Sequence, residues 1–207
     1  MRKTKEDAEQ TRKAILASAM DMFYEKGYSK TTFDEIAKRI NLTKGAVYWY
    51  FRNKPDIVAA LINDFADKYL ANIKEFIANH QPVSFESIIE MELFNNKQIR
   101  EDPLYYRFLF FVSCQMEWSE AIINKIQPSI EQTKQVTRAL FIDALQTLQN
   151  NRQIRKDVDI SQICDILMTM YGGMLDAYFT KHLTNDFDEL VRTGFSLIFN
   201  NIKTESY

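Results

Sequence analysis

Glycine and proline are scarce in this chain, at 5 and 4 residues in 207. That scarcity excludes collagen, long disordered linkers and a turn-rich β-sandwich. There are two cysteines, Cys114 and Cys164, without CxxC spacing, so no disulfide framework can form and a reducing cytoplasm is the expected compartment. The two histidines, His80 and His182, lie far apart and lack metal-ligand spacing. No glycine-rich phosphate loop occurs. Enzyme chemistry is therefore poorly equipped, and neither a metal nor a cofactor is expected. Long hydrophobic runs are missing too. Ala14 to Met20 is too short to span a membrane, and the most apolar window, Leu104 to Met116, contains Arg107. With no targeting signal visible, the expectation is a soluble protein without a membrane partner.

What is present is ordinary for a globular protein: 46% hydrophobic and 26% charged residues, enough for one domain or a small domain fused to a larger one. The net charge of −2 weighs against nucleic acid when read as a total. Its distribution says more. Residues 1–54 hold twelve basic and seven acidic side chains, a net of +5, which leaves −7 on the rest. Phosphate binding is local, so a basic head on an acidic body is informative. A chance fluctuation over a solvated surface would give the same count.

Nearly every segment has helical periodicity, with no internal repeat and no strand. Ile15, Leu16, Ala19, Met20 and Phe23 form one stripe between Thr11 and Lys26, and Gly27 is placed to end that helix. Thr32-Phe33-Asp34-Glu35 fits a capping box before a short helix reaching Ile40. After Asn41-Leu42, Thr43 can cap a second short helix to about Phe51. Pro55 suits the first turn of a long helix through Phe76. Helices are then expected at Ser84 to Lys97 and Pro103 to Glu117. Pro128 is expected to begin or kink another that runs to Gln149. Helices at Ile160 to Lys181 and Phe187 to Ile202 close the chain. Cys114 is expected to pack within an apolar helix.

Two short helices on a tight turn, in a basic segment, suggest a helix-turn-helix. A major groove about 12 Å wide admits a helix only if little stands between backbone and DNA. Thr43-Lys44-Gly45-Ala46 meets that need. Thr43 caps and can touch a phosphate, which the helix dipole also favours. Gly45 costs about 1 kcal/mol of helix propensity relative to Ala, a cost better understood if close approach is required. Val47 and Phe51 would face the core, leaving Tyr48, Trp49 and Tyr50 over the outer faces.

The stretch FDEIAKRINLTKGAVYWYF from Phe33 to Phe51, followed by Arg52-Asn53-Lys54 and Pro55-Asp56, resembles the DNA-binding domain of TetR/AcrR-family transcriptional regulators. RKTKEDAEQTRKAIL and FYEKGYSKTTFDEIA before it extend the likeness over roughly the first 60 residues. Within the family the chain is most similar to AcrR-like repressors of multidrug efflux pumps. The resemblance implies an all-α fold of about nine helices. Residues 1–54 would form a three-helix helix-turn-helix domain, and residues 55–207 a larger helical effector-binding and dimerisation domain. It implies a homodimeric, non-enzymatic repressor on a palindromic double-stranded operator, released by a small hydrophobic effector, cationic or neutral. By position, Lys44 reads base edges. Thr43, Tyr48, Tyr50 and Lys54 hold phosphates, Trp49 touches a thymine methyl or packs locally, and Thr32 and Gly45 complete the DNA-binding set. Arg2, Lys3 and Lys5 would form an arm, or a frayed terminus.

In the body, aromatics crowd between Phe94 and Trp118. Those from Tyr105 to Phe111 occupy every face of one helix, so some should line a cavity rather than a simple core. The family resemblance places the effector among Phe65, Tyr69, Ile89, Glu92, Phe110, Phe111, Val136, Tyr171 and Leu175. Glu90, Glu92, Glu117 and Asp176 are candidate partners for a cation. The apolar stripes of the last two helices could build a four-helix bundle with a second copy, and Gly172-Gly173 would permit close approach or a kink. Two other readings stay open: the same fold regulating fatty-acid or envelope metabolism, and a helical small-molecule carrier that binds no DNA.

Overall fold

A computed structural model describes residues 4–204. Among them are nine α-helices: α1 (Lys5–Lys26), α2 (Phe33–Arg39), α3 (Lys44–Tyr50), α4 (Lys54–Asn79), α5 (Phe85–Glu101), α6 (Pro103–Phe110), α7 (Glu120–Asn150), α8 (Ile160–Phe179) and α9 (Phe187–Ile202). A π-helical turn, Phe111–Gln115, follows α6. The described residues contain no strand, only an isolated bridge between Ile154 and Lys203. The all-α expectation holds. Of the expected arm, Arg2 and Lys3 lie outside the described residues, and Lys5 opens α1.

The chain divides into two compact units. The first comprises residues 1–66 and 102–130, the second residues 67–101 and 131–207. In the first unit, α1 starts nearly three turns before the apolar stripe does. Thr4 accepts from the Asp7 amide at 3.1 Å while the Asp7 carboxylate accepts from the Thr4 amide at 2.9 Å. This reciprocal cap supplies the ends of a helix whose first turns bury little. At the other end Gly27 adopts φ 89°, a conformation costly for any residue with a Cβ, and its amide closes on Phe23 O at 3.0 Å. The core gathers on Phe23, which stacks on fully buried Phe111 at 5.3 Å between ring centroids. Phe65 stacks on Phe108 at 4.2 Å. Polar links bind residues 102–130 to α1 and to the loop after it. Arg107 pairs with Asp21, the Gln115 amide donates to Tyr24 O, and the Ser29 hydroxyl donates to Glu117.

Two expectations need correction in this region. Pro128 does not begin α7, which starts at Glu120, with the Ser119 hydroxyl accepting from the Ile122 amide. The proline instead lies inside the helix, where its only direct cost is one missing amide donor and a ring to accommodate. The helix expected over Pro103 to Glu117 ends as α-helix at Phe110. The wider π turn that follows holds more residues than an α turn, so positions beyond Phe111 leave the face that 3.6-residue spacing assigns to them. Cys114 is exposed there rather than packed.

In the second unit, Phe187, Val191, Phe195, Phe199 and Ile202 run as a buried stripe along α9. They join Leu145, Leu148, Ile154, Cys164 and Leu167 in one core. Gly194 lets α8 and α9 approach closely: a Cβ there would lie 2.8 Å from Met174 Cε and 3.0 Å from Met170 Sδ. Gly172 and Gly173 face open space within a continuous α8.

Candidate nucleic-acid interface

The geometry of α2 and α3 follows from their caps. Thr32 Oγ1 accepts from the Glu35 amide at 3.4 Å and donates to Glu35 Oε2 at 2.7 Å, while the same carboxylate accepts from the Thr32 amide at 3.0 Å. Lys26 adds an ion pair at 2.5 Å. Hydrogen bonds from Lys26 and Thr32 hold the Glu35 carboxyl down at about 2, well under the ordinary carboxylate range. The turn is closed by the Leu42 amide on Ala37 O at 2.9 Å, with Asn41 at φ 55°, a region asparagine enters more readily than most residues. Thr43 Oγ1 then accepts from the Ala46 amide at 3.1 Å and starts α3.

Helix α3 buries Val47 completely, and Phe51 is buried just past its end. The opposite side is open. Lys44 and Gly45 are exposed, Tyr48 is 50% exposed and Trp49 75%. Leaving an indole that far in water wastes apolar area that a partner could cover. Tyr48 leans on Phe33 at 4.8 Å, Trp49 meets Tyr50 edge-on at 4.6 Å, and Lys44 Nζ lies 5.7 Å from the Tyr48 ring. A Cβ on Gly45 would meet only Thr43 Oγ1, at 3.9 Å, so nothing inside the protein requires glycine there.

Thr32, Thr43, Lys44, Gly45, Tyr48, Trp49 and Tyr50 thus sit on the two caps and the short second helix. Lys54 differs. Its ammonium donates to Tyr28 O at 2.7 Å and Ser29 O at 3.1 Å, and desolvation by burial lowers its pKa. Other basic groups of the head are also occupied: Arg12 by Asp64, Lys26 by Glu35, Lys38 by Asp34 and Arg39 by Glu25. Lys5, Lys13, Lys30, Lys44 and Arg52 make no ion pair among the described residues. The sequence reading did not single out Lys13, Lys30 or Arg52; charge alone marks them, and charge does not say which cations are already paired.

The nine residues expected around an effector fall in both units. In the first, Phe65 and Phe111 are core residues with ring faces against Phe108 and Phe23, and half-buried Phe110 meets Tyr24 edge-on. In the second, Ile89 is buried and Tyr69, Val136 and Leu175 are half-buried. Glu92 and Tyr171 come together there, joined by two residues the sequence reading missed. The Asn95 amide donates to Tyr171 OH at 2.8 Å, and Tyr171 OH donates to Asn96 Oδ1 at 2.8 Å. Asn96 continues to Asp188, which Arg100 grips in a bidentate pair. Glu92 is 3% exposed, and burial pushes its carboxyl up to about 8 despite a hydrogen bond with Tyr171. Asn95 Oδ1 is buried without a hydrogen-bond partner among the described residues. Helical spacing had a signal here, since Asn95 and Asn96 lie three and four positions beyond Glu92 on the buried face of α5.

Among the described residues no group of three or more His, Cys, Asp or Glu is arranged to hold a metal, and no helix is long and apolar enough to cross a membrane. The model of the tetR family of bacterial regulatory proteins matches residues 15–61, from within α1 into α4. The HTH-type transcriptional regulator TtgR of Pseudomonas putida is 34% identical over 97 residues, 46% of each chain, so that match spans under half of the relative's length. The HTH-type transcriptional repressor BepR of Brucella suis is 27% identical, over 92% of this chain and 90% of its own. The crystal structure of NalD, the secondary repressor of the MexAB-OprM multidrug efflux pump in Pseudomonas aeruginosa, superposes with a TM-score of 0.77 at 20% identity, covering 96% of this chain and 100% of NalD. That likeness is one of fold. The capped pair α2 and α3 lies inside the matched segment, so residues 15–61 carry a helix-turn-helix of the tetR kind, and the relatives similar to it are HTH-type transcriptional regulators.

Proposed function

We propose that the protein is a cytoplasmic, ligand-responsive repressor that binds a palindromic operator as a homodimer and controls an efflux system. The observation that carries this reading is α3: seven residues, capped by Thr43, buried on Val47 and open along Lys44, Gly45, Tyr48 and Trp49. Such a helix fits a major groove, with Lys44 donating to guanine O6 and N7 and the hydroxyls of Thr32, Thr43, Tyr48 and Tyr50 on phosphates. Names among the relatives supply the efflux reading: NalD is described as an efflux-pump repressor.

Dimerisation through α8 and α9 is supported by Ile166 and Leu197, 50% and 61% exposed, and by the open faces of Gly172 and Gly173. Two-fold symmetry would then set two recognition helices about 34–36 Å apart, or a multiple of that. For the effector, the second unit offers buried Glu92 with the spare acceptor of Asn95, a pair suited to a hydrophobic ligand that brings its own hydrogen-bond donor or positive charge. A ligand releases DNA only if it prefers another conformation. Helix α4 has residues in both units, and a change in its tilt is the expected response.

Unbiased selection from a random duplex library tests the reading. The expected product is an inverted repeat bound with an affinity that falls steeply with salt. Recovery of no sequence preference overturns it. A screen of lipophilic cations and fatty acyl compounds for loss of binding then separates an efflux repressor from a regulator of fatty-acid metabolism.

A further inference from the structure

We propose that Lys125, on α7, is a positioning residue for DNA recognition: through the carboxylate of Asp56 it fixes the chain where α3 ends. This role rests on the reading of α3 as a recognition helix. A helix of seven residues is too short to hold itself in water, so its neighbours must place both of its ends. Thr43 and the closed turn before it settle the first end. At the second end Phe51 is buried and its amide closes on Val47 O at 2.9 Å. The Arg52 amide then donates to Asp56 Oδ2 at 3.1 Å, while the Asp56 amide donates to Asn53 Oδ1 at 3.0 Å. One oxygen of the Asp56 carboxylate thus serves the exit from α3, and the other, Oδ1, accepts from the Lys125 ammonium.

Lys125 reaches Asp56 from a fixed base. Ile122 and Ile126, on either side of it along α7, are 0% and 2% exposed, so the first turns of that helix are held by packing. Both partners lie in the first compact unit, although Lys125 stands 69 positions from Asp56 and beyond the segment that the tetR model matches. Burial pushes the Asp56 carboxyl up, but the Lys125 ammonium and the backbone amides of Arg52 and Asn53 outweigh it and hold the pKa below its ordinary value. With Lys125 38% and Asp56 25% exposed, the ion pair adds little to stability. Its consequence is orientational. Without the ammonium the carboxylate regains its other rotamers, and the Arg52 amide loses an acceptor held in one place.

The test is fluorescence anisotropy of the full chain with the operator recovered by selection and with an unrelated duplex. Lys125→Met should weaken operator binding about tenfold, the cost of one mismatched base pair, and weaken the unrelated duplex by less than about twofold. Lys125→Arg keeps a donor and should restore operator affinity. Asp56→Asn separates positioning from charge. It removes a negative charge, so electrostatics alone would tighten both duplexes. Positioning requires operator affinity to fall, because a single amide oxygen cannot serve both Arg52 and Lys125. The double variant Lys125→Met/Asp56→Asn should be no weaker than the weaker of the two single variants, since both act through one carboxylate. Hydrogen exchange at the Arg52 amide, measured without DNA, should quicken in both single variants while the Val47 amide keeps its rate. If the wild type selects no operator, the reading of α3 itself fails. This role alone is overturned if the wild type binds its operator and Lys125→Met binds it as tightly, if Asp56→Asn tightens both duplexes, or if the effects of the two single variants simply multiply in the double.

Discussion

Lys54 lies over the ring of Tyr28, with Nζ 4.4 Å from the centroid, and donates to the carbonyl of the same residue at 2.7 Å. One side chain at the start of α4 thereby holds the loop between α1 and α2. Lys54→Met keeps the apolar stem and removes the donor. It should lower stability by about 1–2 kcal/mol in urea denaturation, the scale of charge-assisted hydrogen bonds at a partly exposed site. Binding to specific and non-specific duplexes should fall together, with the salt slope unchanged. A slope smaller by about one unit would instead assign Lys54 to a phosphate.

Lys44→Ala should cost about 1–3 kcal/mol of binding to the selected operator and relax the preference at one base pair in each half-site. Fluorescence anisotropy against the operator and its single-base variants measures this. Uniform weakening with every preference intact would make Lys44 a phosphate contact.

Gly45→Ala separates folding from binding. The added methyl meets nothing closer than Thr43 Oγ1 at 3.9 Å, so stability should rise by about 0.5–1 kcal/mol. Operator affinity should drop, because the same methyl stands between α3 and the groove. Higher melting temperature with unchanged affinity would remove close approach as the reason for glycine.

Glu92 predicts a pH dependence. Its carboxyl is pushed from an ordinary value of 4.5 up to about 8 in the folded protein. Between those values the folded state binds more protons than the unfolded chain, so this residue's contribution is complete at low pH and declines as pH rises through 8. The slope is at most about 1.4 kcal/mol per pH unit. The stability difference between wild type and Glu92→Gln, followed by denaturation from pH 5 to pH 8.5, should shift steadily in favour of the variant. A difference independent of pH would mean that Glu92 ionises normally.

Leu197→Arg tests the proposed dimer surface. Leu197 is 61% exposed on α9, so the substitution should leave the fold intact while light scattering reports a monomer. Operator binding should weaken by far more than tenfold, because half-sites are then read singly. A dimer that survives the substitution would move the interface elsewhere.

Much of the helix-turn-helix was legible because it depends on local chemistry. Thr32 and Thr43 each announce a helix start through a hydroxyl that reaches an amide three residues on, and Val47 and Phe51 fall on one face by spacing alone. The start of α1 was equally local, but Thr4 and Asp7 precede any apolar stripe and gave periodicity nothing to detect. The π turn at Phe111–Gln115 breaks the 3.6-residue count itself. Of the two readings Pro128 left open, the one that had it begin a helix failed, because α7 starts eight positions earlier, at Glu120. For Glu92 the residue type and its face were readable, whereas its proton depends on burial that no local pattern reports.

The ion pairs of the head bear on thermodynamics outside the protein. Residues 1–54 hold twelve cations, yet five of those described are tied to carboxylates or carbonyls and five stand free. Only a free cation can displace condensed counterions from a duplex, and each one contributes a slope near −0.9 to the logarithm of affinity against the logarithm of salt. The ions released from DNA on binding should therefore be set by the free cations of each head, well below its formal complement. A modest salt exponent would then reflect how much positive charge the fold has already paired.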